Sequence, residues 1–261
     1  MLLFTTENNK IGDFNQRYKQ EENFLNIILY VKNIKAFYEI INIAEIINIL
    51  RIESLEIRIT ELFNIEEYFT LTKALLKTNL RYIHLVDCNN LISIKKCKEI
   101  LLKCVKTLEI SKFECSQEKL HTIKNSKGIY LIRQYRGKVF DKIYDINVNV
   151  HNVTAMCIAE SNYYNIYFKG KLVIGLNGKI YNNESCKGND FGSATELKCF
   201  KEIENNVQFS RFWGINKNLI EKCKDCELRE ICIDRRIPVE QDHSFIYSYD
   251  CNYDLRSGKW V

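Results

Sequence analysis

"LRYIHLVDCNNL", residues 80–91, is the stretch on which the fold turns. Its centre, "RYIHLVD" (81–87), reads as a strand, and strands of the same kind lie on both sides. "SLEIRI" (54–59) alternates polar and apolar residues, and "KTLEIS" (106–111) and "GIYLIRQ" (128–134) are short β-prone runs. Between them, "IEEYFTLTKALLK" (65–77) and "IKKCKEILLKC" (94–104) carry apolar residues at helical spacing. Strand–helix–strand units this short imply parallel strands joined by right-handed crossovers. The fold class expected is therefore α/β.

Two architectures fit this pattern. The stretch 80–91 matches the L-x-x-L-x-L-x-x-C-x-x-L unit of a leucine-rich repeat. Successive strands, however, begin at residues 54, 81, 106 and 128, and the other units match the repeat poorly. The uneven spacing favours a partial (β/α) barrel-like region. A full eight-fold barrel takes about 250 residues, so the N-terminal part is a fragment of one.

From about residue 136 the texture changes. "KLVIGLNGKIY" (171–181) is a strand pair around a tight turn at Asn177–Gly178. "TELKCFKEIENNVQFSRFWGI" (195–215) reads as a helix followed by an aromatic turn. A boundary near residue 150 gives two regions: 1–150, barrel-like, and 151–261, a small cysteine-rich α+β domain of hairpin and helices.

The 261 residues carry 38 Lys and Arg against 33 Asp and Glu, a net charge of +5. With no long basic block, nucleic acid is not an expected partner. The start "MLLFTTENNKIGDF" lacks the basic and apolar segments of a signal peptide, and "FLNIILYVKNIKAFYEIINIAEIINIL" (24–50) is broken by Lys, Glu and Asn. These features lead to an expectation of a cytoplasmic protein with no membrane partner. Eleven cysteines in a reducing compartment point to metal binding more than to disulfides.

"EKCKDCELREICIDRRIP" (221–238) concentrates three of those cysteines, and the next one downstream completes C-x2-C-x5-C-x18-C: Cys223, Cys226, Cys232 and Cys251. Four thiolates suit tetrahedral zinc or one [4Fe–4S] cluster, and spacing does not choose between them. A set of buried structural thiols is the plain alternative. Asp234 stands two residues beyond Cys232, where an acid accepts backbone N–H bonds around a metal site.

The C-terminal region resembles the SPASM domain, the auxiliary cluster module of radical S-adenosylmethionine peptide-modifying enzymes. The likeness covers about residues 155–261. It rests on the cysteine series, the hairpin "ESNYYNIYFKGKLVIGLNGKIYNNESC", "FG" at 191–192, "FWGINKNLIEKCKDCELREIC" and "CNYDLRSGKW". Family members commonly hold two clusters. Here the outer set is complete at Cys223, Cys226, Cys232 and Cys251. The inner set has Tyr167, Asn183 (or nearby Cys186) and Arg235 or Arg236 in its positions. The resemblance implies one [4Fe–4S] cluster, with zinc as the alternative. Cys88, Cys97, Cys104, Cys115, Cys157 and Cys199 fall outside it.

A radical S-adenosylmethionine enzyme also needs C-x3-C-x2-C. Cys88, Cys97, Cys104 and Cys115 are spaced by 9, 7 and 11 and give no such triplet. No S-adenosylmethionine is expected as a cofactor. The chain is most similar to the pseudo-radical-SAM/SPASM proteins of Bacteroidales ribosomal peptide maturation, related to grasp-with-SPASM systems. That likeness implies an accessory or scaffold protein that binds a precursor peptide or a partner maturase. The alternatives are a cluster-containing peptide-modifying redox enzyme and a leucine-rich-repeat interaction protein with structural zinc.

The remaining candidates weigh toward ordinary roles. His84 and His151 read as hydrogen-bonded or solvated, and His121 and His243 carry no pattern. Phe209, Phe212, Trp213 and Trp260 read as core of the small domain. No catalytic residue is assigned, because no Gly-rich phosphate loop, Ser/His/Asp series or H-E-x-x-H is visible along the chain.

Overall fold

The structure, a computed structural model, describes residues 26–33, 35, 43–126, 128–138, 155–183, 190–196, 202–203, 205–247 and 249–260. Two compact units emerge. One, the sheet unit, lies within Asn23–Tyr144 and Gly170–Phe209. The other, the cysteine unit, includes residues within Asp145–Lys169 and Ser210–Val261.

The sheet unit is mixed α/β. Its strands are β1 (Asn26–Val31), β2 (Ser54–Ile59), β3 (Tyr82–Asp87), β4 (Thr107–Lys112), β5 (Lys119–Asn125), β6 (Gly128–Gln134), β7 (Lys171–Ile174) and β8 (Ile180–Tyr181). They form one eight-stranded sheet in the order β5-β6-β4-β3-β2-β1-β7-β8. Neighbours from β7 to β6 run parallel, while β5 and β8 close the two edges antiparallel.

Three helices make the crossovers: α1 (Ile43–Ile49), α2 (Ile65–Leu75) and α3 (Ile94–Lys103). Asn64 caps α2 by accepting from the Glu66 amide at 3.0 Å, and Ser93 caps α3 by accepting from Lys96 at 3.3 Å. Right-handed crossovers place successive helices on one side of the sheet. Leu29, Leu55, Ile57, Ile83, Leu85 and Ile110 are all fully buried on that side with Tyr68, Leu71 and Leu75 of α2. At its rim Lys112 and Asp87 form an ion pair at 2.6 Å, both almost wholly buried.

The hairpin at 171–181 has the expected turn, with Gly178 at a φ of 72°. Its partner was not legible. β7 pairs in parallel with β1, Asn26 opposite Lys171, so the hairpin belongs to the sheet unit. One cut near residue 150 therefore does not describe the division; the chain returns to the sheet before it builds the cysteine unit. The reason is that β1 otherwise leaves a row of unsatisfied backbone groups on its open side, which β7 takes up. Of the helix and aromatic turn expected over 195–215, the described residues show helical positions at 202–203, α5 (Val207–Ser210) and a turn over 211–214.

The cysteine unit contains α4 (Ala155–Ser161) and two hairpins, β9–β10 (Pro238–Gln241, Ser244–Tyr247) and β11–β12 (Tyr253–Asp254, Lys259–Trp260). Pro238 opens β9, where its missing N–H does no harm. Asp242 and His243 form the two-residue β9–β10 turn with φ of 49° and 66°, as the twist of a tight hairpin demands. Asn165 ties the unit's two chain segments together: its amide donates to Trp213 O at 2.8 Å and its side chain donates to Ile215 O at 3.1 Å. Phe212 packs on Phe168, ring centres 5.2 Å apart. Phe212 is core here as expected, and Phe209, fully buried, is core in the sheet unit.

Candidate metal centre

Cys223, Cys226, Cys232 and Cys251 all line one cavity of about 610 Å³ in the cysteine unit. All four are half-buried and reduced. A chain of turns delivers the first two. Cys223 N donates to Ile220 O and Cys226 N to Cys223 O, so C-x-x-C folds onto one wall. Cys251 arrives from the strand end after β10, and its sulfur accepts the Tyr253 amide at 3.4 Å.

Among the described residues no three His, Cys, Asp or Glu side chains converge as ligands of a single ion. Tetrahedral zinc, with Zn–S of about 2.3 Å, would set its sulfurs about 3.8 Å apart. A four-iron cube holds its thiolates considerably further apart.

A buried charge network forms the wall beside the thiols. Asp234, 1% exposed, accepts from Arg236 Nε at 3.0 and 3.1 Å and from the Arg236 amide at 3.0 Å. Lys217 Nζ approaches the same carboxylate at 3.1 Å and donates to Tyr247 Oη at 2.5 Å. Arg236 stacks over the Tyr247 ring at 4.2 Å and donates to Tyr249 O at 2.6 Å. Two buried cations thus face one carboxylate, and Lys217, Asp234 and Arg236 all line the cavity. The excess positive charge suits an anionic occupant. Asp234 accepts the backbone N–H foreseen for it, but its main partners are the two cations. Lys217 and Tyr247 were not foreseen, since along the chain they look like an ordinary surface Lys and a strand Tyr.

Burial pushes the Cys223 and Cys226 thiols up and the Cys232 thiol up to about 11, against the lowering pull of Lys217. Burial also raises the Asp234 carboxyl, but the hydrogen bond from Arg236 and the charge of Lys217 bring the balance below its ordinary value.

The positions that stand where inner-cluster ligands would be are filled otherwise. Tyr167 is buried, and the Arg235 guanidinium lies over its ring at 5.4 Å. Asn183 is buried in the sheet unit and donates to Asn182 Oδ1 at 3.0 Å. Arg235 and Arg236 are thus not an exposed basic pair. Cys186, Cys199 and His151 lie outside the described residues, and of Cys157 only its place in α4 is described. Cys88, Cys97, Cys104 and Cys115 are buried in the sheet unit, where burial pushes Cys88 and Cys97 up to about 12. Such thiols are inert packing groups. His121 accepts or donates to Gln134 at 2.9 Å, an ordinary strand-pair contact. No family model, no curated protein and no solved structure matches the chain. No helix of the described residues is long and apolar enough to cross a membrane.

Proposed function

We propose that Cys223, Cys226, Cys232 and Cys251 hold one [4Fe–4S] cluster, and that the protein is an accessory factor in the maturation of a ribosomally made peptide. It binds the precursor peptide or the maturase and does no S-adenosylmethionine chemistry. The observation that carries the cluster reading is the lining of one cavity by all four thiols, beside a buried pair of cations. Thiolate-bound clusters carry net negative charge, which Lys217 and Arg236 are placed to balance. The peptide-maturation reading is supported by the cysteine spacing and its flanks, and the non-catalytic role by the missing C-x3-C-x2-C. When bound, a cluster of this kind stores or passes single electrons.

Anaerobic loading of the full chain with ferrous iron and sulfide is expected to give about four irons and four sulfides per chain. Incubation of the reduced, loaded protein with S-adenosylmethionine is expected to yield no 5′-deoxyadenosine. Its appearance would overturn the non-catalytic reading while leaving the cluster intact.

The half-burial of the four cysteines favours a second reading, in which the cluster exchanges electrons with a partner as part of a redox enzyme. Reversible reduction by dithionite, followed by electron paramagnetic resonance, separates a relay from a purely structural cluster.

The raised thiols make uptake steeply dependent on pH. In the metal-free protein Cys223, Cys226 and Cys232 are protonated at neutral pH, and each gives up a proton to become a ligand. Below their pKa values, affinity for a thiolate-binding metal falls about tenfold per proton for each unit of pH lost. Zinc, used as a probe against a chelator, is therefore expected to bind about 1,000-fold more weakly at pH 7 than at pH 8. A change of tenfold or less would mean that the three thiols are already ionised.

A further inference from the structure

A second group of reactive side chains stands on the opposite face of the sheet from the helices. A parallel sheet usually buries Val, Ile and Leu on both faces. Here the second face carries Tyr30, Glu56, Arg58, His84, Ser111 and Arg133. Register assembles them: Glu56 lies opposite His84 across β2–β3, and Ser111 lies opposite Val86 and Arg133 across β4. The His84 ring spans three strands, with Nδ1 3.2 Å from Glu56 Oε2 and Nε2 3.0 Å from Ser111 Oγ.

The chemistry of the three groups fixes the direction of these bonds. An ionised carboxylate only accepts, so Nδ1 carries the hydrogen and Nε2 is free to accept from the Ser111 hydroxyl. Burial would raise the Glu56 carboxyl, but the charge of Arg58 and the bond from His84 outweigh it and keep Glu56 ionised. Arg58 in turn is held by Glu56 and by Tyr30 Oη.

We propose that Ser111 is a nucleophile activated by His84, with Glu56 positioning the imidazole, and that the site takes an ester or thioester with a slender acyl group. Ser111 Oγ attacks the carbonyl carbon and its proton passes to His84 Nε2. The bond from carbon to the leaving oxygen or sulfur breaks, and that atom takes the proton from His84. Water then attacks the acyl-serine, gives one proton to His84, and releases the carboxylic acid as the proton returns to Ser111. The strand amides around Ser111 are paired into the sheet on both sides, so they do not offer an oxyanion hole. Arg133, opposite Ser111 in register and paired to Glu109 at 2.6 Å, is the cation this proposal assigns to the developing oxyanion. One cation suits an activated ester or thioester more than an amide. Ser111 is only 4% exposed, while a quarter of the His84 side chain remains accessible; this narrow approach selects a slim acyl chain.

The test is labelling of the full chain with methanesulfonyl fluoride, a reagent slim enough for this approach, followed by peptide mapping. The Ser111 Oγ–sulfur bond forms, the sulfur–fluorine bond breaks as fluoride leaves, and His84 takes the proton. The folded wild-type chain is expected to carry the adduct on Ser111, and the urea-unfolded chain to lose that labelling. Ser111→Ala removes the adduct. His84→Gln slows labelling about 100-fold or more. Glu56→Gln slows it without changing strand protection in hydrogen exchange, and Glu56→Asp retains part of the rate. No adduct on Ser111 in the folded wild type, or an unchanged rate in His84→Gln, overturns the proposal and leaves the three groups as a structural ladder.

Discussion

Replacing Cys226 by Ser is expected to abolish loading of the proposed cluster and release the backbone of residues 210–260 to exchange, while strands β1 to β4 keep their protection. Among the described residues the cysteine unit has two short hairpins, one short α-helix, one 3-10 turn (Lys217–Leu219) and a modest apolar core around Phe168, Phe212 and Ile220. A module of that size leans on its metal, because ligand binding free energy becomes folding free energy. Structural metal sites in small modules contribute on the order of 10 kcal/mol. Losing one of four thiolates removes most of it. The sheet unit has its own core, from Ile27 and Leu29 through Leu85 to Ile132, and contains none of the four proposed ligands. Both tryptophans, Trp213 and Trp260, lie in the cysteine unit, so their fluorescence reports it selectively. Iron content below one per chain, red-shifted tryptophan emission and unchanged strand protection are the expected result. Loss of protection along the whole chain would mean that the two units fold as one. No change anywhere would remove Cys226 from the site.

The second large effect is expected in the sheet unit. Asp87→Ala should destabilise it by about 3–5 kcal/mol, because Lys112 is left as an uncompensated buried charge. Asp87 accepts from Lys112 Nζ at 2.6 Å and from the amides of Leu91 and Ile92 at 2.7 and 2.8 Å, so it also pins the turn that leads into α3. Lys112→Met should cost less, since Asp87 keeps both amide donors. With a slope of about 2–3 kcal/mol per M in urea, Asp87→Ala lowers the unfolding midpoint of the strands by roughly 1–2.5 M. The two variants should not add: once the pair is broken, removing the second partner costs little more. A larger loss from Lys112→Met than from Asp87→Ala would contradict this view of the pair.

The sequence shows the strands where local pattern carries the signal. β2 and β6 fall on the residues read as strands, and β3, β4, α2 and α3 differ only at their ends. β1 was hidden in a long apolar run whose period favoured neither strand nor helix. β5, "KLHTIKN", is an exposed edge strand with few apolar residues to mark it. The pairing of β7 with β1 joins segments far apart in the chain, and no local period reports such a partner. The same holds for the sites. C-x2-C-x5-C is visible because the proposed ligands lie close together along the chain. Lys217, Asp234 and Arg236 look like solvated charges until the fold buries them together. Glu56, His84 and Ser111 are spread over three strands, and only the register of a parallel sheet brings them to one face.

The most direct measurement is Mössbauer spectroscopy on the anaerobically loaded full chain, run beside Cys251→Ser and with zinc and sulfide analysis of the same samples. The account predicts one four-iron cluster per wild-type chain and its loss or conversion in Cys251→Ser. One tightly held zinc with no sulfide, or the same cluster in Cys251→Ser, would contradict it.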